Sequence, residues 1–205
     1  TEKKILVANA PGANSNAVAE LTVALMLSVG RGIVKHSHLL QDGRWERSAG
    51  HEVSGATIGL VGLGNIGRRI VSLLRGFDVR IVAFDPFADR KWADDNNVTL
   101  AENIDDVFAA ADYLVLALPL NDATRHLVNE RTLGLMKSSA YIVNTARGGL
   151  IDDAALCRAL QEKRIGGAAL DAFSEEPLPP DSILRSVDIT ITPHLAATSI
   201  ESAAK

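Results

Sequence analysis

The sequence predicts an α/β fold, a doubly wound, mostly parallel sheet with helices on both faces. Three observations predict it. Short runs at residues 56–61, 79–84, 112–118 and 141–144 are almost continuously apolar, as strands buried on both faces must be. They alternate with segments of helical periodicity, such as residues 104–110 and 152–162. Polar or turn residues stand just past the runs (Asp85, Pro119, Thr145, Asp171, Pro193), at the carboxyl edge where parallel sheets bind ligands.

In chain order, residues 5–8 read as a strand and Pro11-Gly12 as a turn. A helix begins at Asn14 or Ser15 and is apolar nearly all round through Val29, which calls for deep burial or an interface. Gly30 and Gly32 threaten its continuity, though the pattern resumes through Val34, Leu39 and Leu40. Residues 41–54 are polar and loop-like, with Trp45 read as a packing lid. After the runs at 56–61 and 79–84 come a short strand at 98–100 and a helix at 104–110. The strand at 112–118 is closed by Pro119, and another lies at 141–144. Asp152 is placed to cap a helix through Glu162, and strands at 168–170 and 189–192 complete the sheet.

The densest signal is Gly62-Leu63-Gly64-Asn65-Ile66-Gly67, between the strand at 56–61 and apolar residues at helical spacing (Ile70, Val71, Leu73, Leu74). Gly62 permits the tight turn, Gly64 lets backbone approach a pyrophosphate, and Gly67 lets helix and strand pack closely. The free N–H groups and dipole of the helix start, where Asn65 and Ile66 stand, favour phosphate. Asp85 ends the next strand, roughly 20 residues on, where a carboxylate accepts hydrogen bonds from an adenosine ribose diol. Strand, triplet, helix, strand and acid together indicate a Rossmann-type dinucleotide site. Arg68 and Arg69 read as the solvated face of that helix.

Composition narrows the field. The 205 residues suffice for one substantial core, and 47% apolar with 22% charged residues is ordinary for a soluble globular protein. A net charge of −4 without a basic stripe argues against nucleic acid. The apolar stretch 21–29 is too short to span a bilayer, and Lys3-Lys4 with residues 5–8 reads as a buried strand better than as a secretion signal. One cysteine, Cys157, excludes an internal disulfide and fits a reducing cytoplasm. The sequence shows no metal-ligand, triphosphate-loop or serine-hydrolase spacing.

At the ligand edge stand Asp85, residues 145–147, Asp171 and His194, with Glu175-Glu176-Pro177 in a loop on the same side. A guanidinium can hold a carboxylate bidentately, an imidazole can exchange a proton with a carbonyl oxygen, and a carboxylate can orient that imidazole and favour its charged form. Taken singly, each has a plainer explanation as a surface ion pair, a turn or a backbone partner. His36 and His38, two apart on a helix, cannot share a face. His51 lies in the polar loop, and His126 is expected on a short helix.

These motifs resemble the D-isomer-specific 2-hydroxyacid dehydrogenases, the group of phosphoglycerate dehydrogenases and hydroxypyruvate reductases. The resemblance covers essentially the whole chain: Asn9 to Ser15 with Val18-Ala19-Glu20, Gly62 to Gly67, Asn144 to Gly149, Ala169 to Phe173, Glu175 to Leu178 and Thr192-Pro193-His194. It implies NAD as cofactor and hydride transfer between a 2-oxo acid and a (D)-2-hydroxy acid, phosphoglycerate or hydroxypyruvate/glyoxylate among the candidates. Arg147 would bind the substrate carboxylate and carbonyl, His194 would be the acid/base, and Glu176 its partner. Asp171 and the Thr145-Ala146 backbone would hold the nicotinamide end, with Leu118, Pro119 and Thr124 lining the cofactor. Arg147 and His194 would also meet it.

Ala117 stands where many relatives have His. The resemblance further implies one NAD-binding domain over 1–205: a hinge at 1–12, a long helix and loop at 13–50 and the Rossmann core at 51–205. The family's substrate domain would be essentially absent, as in an excised domain or a chain that lost the rest, and such a piece would turn over poorly alone. A homodimer is expected through the helix at 15–29 and its extension. The alternative is a dinucleotide-sensing co-repressor-like binding module. Formate oxidation is disfavoured by Glu176, where that branch typically carries Gln; phosphite oxidation stays open.

Overall fold

The computed structural model describes residues 12–204. The expected strand at 5–8, Pro11 of the expected turn, Asn9-Ala10-Pro11 and nearly all of the hinge lie outside the described residues. Among the described residues seven strands form one sheet: β1 (Thr57–Val61), β2 (Arg80–Phe84), β3 (Val98–Leu100), β4 (Tyr113–Leu116), β5 (Tyr141–Asn144), β6 (Gly167–Leu170) and β7 (Thr190–Ile191). The order is β3-β2-β1-β4-β5-β6-β7 and every pairing is parallel. The sheet is thus wholly parallel where the sequence reads as mostly so. The direction of winding reverses between β1 and β4, which puts the ligand crevice beyond Val61 and Leu116.

Two apolar clusters cover the two faces, and strand alternation feeds both. Leu114, Leu116 and Ile142 point into one with Phe108 and Leu156, while Tyr113, Val115 and Val143 point into the other with Met26, Leu60 and Ile70. This two-sided burial is why the strands lack a polar face.

The long helix divides into α1 (Ser15–Arg31) and α2 (Ile33–Gln41) at Gly32, whose φ of 60° makes a bend of 62°. No single described helix is long and apolar enough to cross a membrane. Helix α1 buries Val18, Ala19, Thr22, Leu25 and Met26 while packing on α3 (Asn65–Leu74) and on β5 and β6. One side of the helix is thus buried by its own chain, as the all-round apolar pattern calls for, while Leu21, Val23, Leu27 and Val29 stay half-buried. Exposure instead concentrates after it. Residues 40–52 are all exposed, and Trp45, at 79%, is no packing lid.

Three short helices escape sequence reading: α4 (Arg90–Asp95), α6 (Glu130–Leu133) and α8 (Ile200–Ala203). Each is too short for a periodic signal, but each has a capping side chain, from Asp89, Asn129 and Ser199. The anticipated helices form as α5 (Ile104–Ala110) and α7 (Asp153–Gln161), the latter capped by Asp152. His126 sits in a turn with φ of 50°, not on a helix.

Candidate active site

The switch point opens into a cleft of about 690 Å³, within the usual range for small-ligand pockets. Gly64, Asn65 and Ile66 line one end; Leu118 and Pro119 follow along the wall. Thr145, Ala146, Arg147 and His194 complete it, with Ala117 beside Leu118. Nine of the predicted residues thus share one crevice, although they come from four stretches of sequence.

The glycine loop divides its tasks as its positions require. Gly62 has φ of 101°, and a Cβ there would meet the Ala117 carbonyl oxygen at 2.3 Å. A Cβ on Gly67 would meet the Gly62 oxygen at the same distance, so this glycine serves helix–strand contact. Gly64 has open space around its missing Cβ and caps α3. That is the geometry for backbone to approach a diphosphate at a positive helix end. The residues therefore fit a dinucleotide.

Asp85 is half-buried beyond β2. Its Oδ2 accepts the Leu63 N–H at 2.8 Å and its Oδ1 the Phe87 N–H at 2.9 Å. The carboxylate thus braces the glycine loop as well as standing where a ribose diol would lie. Arg68 corrects the solvated-face reading. It is half-buried, its Nε donates to the Leu63 carbonyl at 3.1 Å, and its guanidinium lies 4.8 Å from the Trp92 ring centre.

The catalytic edge is held by buried polar ties. Past β5, Asn144 donates from Nδ2 to the Arg147 carbonyl and accepts the Ala146 N–H through Oδ1, at 2.9 and 3.0 Å. This curls the chain so that Arg147 projects exposed at the rim. Gly148 lies where a Cβ would overlap the Phe173–Ser174 peptide at about 2 Å, so the arginine loop and the Glu176 loop touch backbone to backbone. Thr145 shares a 2.7 Å hydrogen bond with Thr22 of α1, a link the sequence reading does not contain.

Asp171 is fully buried and off the cleft wall. It accepts the Thr192 hydroxyl and the N–H groups of Leu195 and Ala196 at 2.5, 2.9 and 2.9 Å. The carboxylate that the resemblance places at the nicotinamide end also ties down the His194 loop, with φ of 51° at His194 itself. Thr124 is likewise off the lining, and its hydroxyl donates to the Pro119 carbonyl at 2.8 Å, which shapes the cleft wall from behind. Both residues thereby support neighbours that line the cleft. Asn14 and Ser15, part of the Asn9 to Ser15 motif but given no site role, also line it, as do Ala196 and Ala197, whose small apolar side chains carry no chemical signature.

His194 Nδ1 and Glu176 Oε2 lie 2.6 Å apart, and Glu176 Oε1 accepts the Phe173 N–H at 2.9 Å. Partial burial pushes the Glu176 pKa up. The Phe173 N–H, the bond to His194 and the charges of His194 and Arg147 outweigh it, so the net shift is downward. With Nδ1 held by the carboxylate, Nε2 is the imidazole atom available for proton exchange. A guanidinium and an oriented imidazole at the open end of a dinucleotide cleft can anchor an acidic substrate and protonate an oxygen on it.

The chain is similar to known proteins. The model of the NAD-binding domain of D-isomer specific 2-hydroxyacid dehydrogenases matches residues 23–196. A D-3-phosphoglycerate dehydrogenase of Methanocaldococcus jannaschii is 44% identical over 204 residues, 98% of this chain and 39% of that protein. A hydroxypyruvate reductase of Thermotoga maritima is 39% identical over 98% of this chain and 66% of its own length. Among solved structures, a D-lactate dehydrogenase with NAD+ from Lactobacillus jensenii aligns with a TM-score of 0.87 and 27% identity, over 98% of this chain and 64% of that one. The chain thus spans roughly two fifths to two thirds of the length of these curated relatives.

Proposed function

Because this chain belongs to the D-isomer specific 2-hydroxyacid dehydrogenase family as an NAD-binding domain, we propose that it serves an enzyme interconverting a 2-oxo acid and a (D)-2-hydroxy acid. The observation that carries this reading is the 2.6 Å Glu176–His194 pair beside Arg147, at the open end of the cleft that the glycine loop begins. Bound NAD(H) supplies or accepts the hydride. Arg147 pairs with the substrate carboxylate and polarises its carbonyl. His194, charged and held through Nδ1, donates a proton from Nε2 to the carbonyl oxygen in the reducing direction and takes it back in the other. Glu176 stabilises the imidazolium and fixes its orientation. The phosphoglycerate, hydroxypyruvate and glyoxylate substrates fit the names of the relatives, and the co-repressor alternative gains nothing from them.

The test is NADH oxidation by the full-length protein with a panel of 2-oxo acids. His194→Ala should cut turnover by about 10²- to 10⁴-fold while NADH still binds. Undiminished turnover in that variant would remove His194 from the chemistry.

The same proposal includes a homodimer and a reducing cytoplasmic setting, which suits the buried free Cys157. Helix α2 and the segment after it leave Ile33, Leu40 and Trp45 at 54%, 57% and 79% exposure, an apolar surface suited to a second copy. Sedimentation should return a dimer at micromolar concentration, and Trp45→Glu should shift it toward monomer. A clean monomer for the unmodified chain contradicts this.

A further inference from the structure

Helix α2 ends in a turn that sends the chain back along it. Gly43, with φ of 76°, donates its N–H to the Leu40 carbonyl at 3.0 Å, and the Arg44 N–H donates to the Leu39 carbonyl at 2.8 Å. The segment that follows carries the exposed Trp45 and returns to the bend between α1 and α2. There the His51 N–H donates to the Gly30 carbonyl at 2.8 Å, and a Cβ on Gly50 would meet that same oxygen at 2.5 Å. Between these two anchors, among the described residues, one side chain of α2 bonds to the segment: half-buried His36.

The partners of His36 decide which protons it carries. Nδ1 lies 2.8 Å from the Gly32 carbonyl oxygen, which only accepts, so Nδ1 holds a proton. The Ser48 backbone N–H, which only donates, meets Nε2 at 3.2 Å, so Nε2 holds none. The imidazole that satisfies both is the neutral Nδ1–H form. A proton added to Nε2 sets N–H against N–H, and the backbone bond is lost. The Ser48 hydroxyl, 3.0 Å from Nε2, can then turn to accept, but the Ser48 N–H is left without its partner. The charged groups around the ring do not take over. Asp188 is paired with Lys35, and Asp42 and Glu46 with Arg44. Arg31, His38 and Arg185 share a cavity wall with His36, and Arg47 precedes Ser48 in the chain.

We propose that His36 is a proton-operated clasp on the surface this chain offers to a second copy. With the imidazole neutral, residues 44–50 are held along α2 and Trp45 is presented in one place. When the ring takes up a proton, the clasp gives up the Ser48 N–H and the segment loosens. Histidine changes charge between about pH 5 and 8, so association weakens as pH falls through that range. This role rests on the homodimer proposed above and assigns its regulation.

Sedimentation equilibrium of the chain from about pH 8 to about pH 5 tests it. The dimer dissociation constant should rise roughly tenfold on acidification, a few-fold for each of the two clasps, the scale of one hydrogen bond lost per copy. His36→Gln offers a carbonyl oxygen to the Ser48 N–H and does not titrate, so it should hold the constant nearly flat. His36→Lys, charged throughout, should weaken the dimer even at the alkaline end. His38→Gln leaves the clasp in place and should keep the full dependence. A second readout needs no dimer: in Trp45→Glu, the protection of the Ser48 amide against hydrogen exchange should fall on acidification, and adding His36→Gln should remove that fall. A pH dependence that survives intact in His36→Gln, or Ser48 protection that does not change with pH, overturns the clasp. A chain that is monomeric at every pH while Ser48 protection still falls overturns the homodimer reading instead, and with it the role given to the clasp.

Discussion

The two ends of the cleft are built in different ways. The phosphate end is local: β1, the glycine loop, α3 and β2 follow one another within residues 57–84, and the loop is shaped by steric contact around Gly62 and Gly67. The catalytic end is assembled across the chain. Arg147, Glu176 and His194 lie on separate loops after β5, β6 and β7; buried Asn144 and Thr22 brace the first loop, and Asp171 ties the last two together. The first end has little freedom and depends on the absence of side chains. The second depends on directed hydrogen bonds, and its working groups face solvent. A cofactor that must bind in one pose suits a rigid floor, whereas groups that exchange protons with a changing substrate need access.

The largest expected effect breaks the steric end. Gly62→Ala places a methyl 2.3 Å from the Ala117 oxygen at a φ of 101°. It should cost about 3 kcal/mol or more of stability, read by denaturant unfolding. Gly64→Ala sharpens the contrast, because its Cβ enters open space. Its stability should stay within about 0.5 kcal/mol of the parent while NADH affinity falls about tenfold or more, through blocked approach of the diphosphate. If Gly64→Ala bound NADH normally, the diphosphate would not lie on this loop.

A smaller effect concerns the acid that braces the same loop. Asp85 should give at least about tenfold preference for NAD over NADP, since a 2′-phosphate meets like charge and forfeits the diol hydrogen bonds. Arg90 and Lys91 do not offset this strongly: Arg90 is exposed, and Lys91 is paired with Asp95 at 2.6 Å. Titration with both cofactors decides it, and equal affinity would place the ribose elsewhere.

The smallest effect tests the hydrogen-bonded end. The Glu176 pKa is lowered in the folded chain, so its charge is fully present above the ordinary glutamate range and is lost only as pH falls through the lowered value. Near neutrality it is a carboxylate favouring the charged imidazole. In the full-length enzyme, Glu176→Gln should therefore move the alkaline loss of oxo-acid reduction to lower pH. An alkaline limb that stays in place would separate Glu176 from the proton transfer.

The same contrast explains what the sequence discloses. The phosphate end is legible because its logic is contiguous: a strand, three glycines at fixed spacing, a helix and an acid. Arg147, Glu176 and His194 are legible by their chemistry and by the family resemblance, since each follows a recognisable strand. Their supports are harder to read. Thr22 lies more than a hundred residues from Thr145 inside an apolar helix, where a threonine carries no signal of its own. Asp171 is visible as a polar residue past a strand, but only packing shows that its carboxylate also ties down the loop of His194. Trp45 misleads because a large apolar side chain normally implies burial, and here a polar segment carries it outward.

The central claim is that this chain holds a dinucleotide floor and brings together, at its exposed end, the three residues proposed for catalysis. It is tested most directly on the 205 residues themselves, by measuring NADH binding through fluorescence alongside NADH oxidation with hydroxypyruvate and related 2-oxo acids. Binding should be clear and turnover nearly absent. The exposed Arg147 and His194 do not by themselves fix a substrate against the cofactor, and precise placement is worth at least about a thousandfold. Rapid turnover by the chain would show that these residues build a closed substrate site on their own, and absence of NADH binding would show that the floor is not the one described.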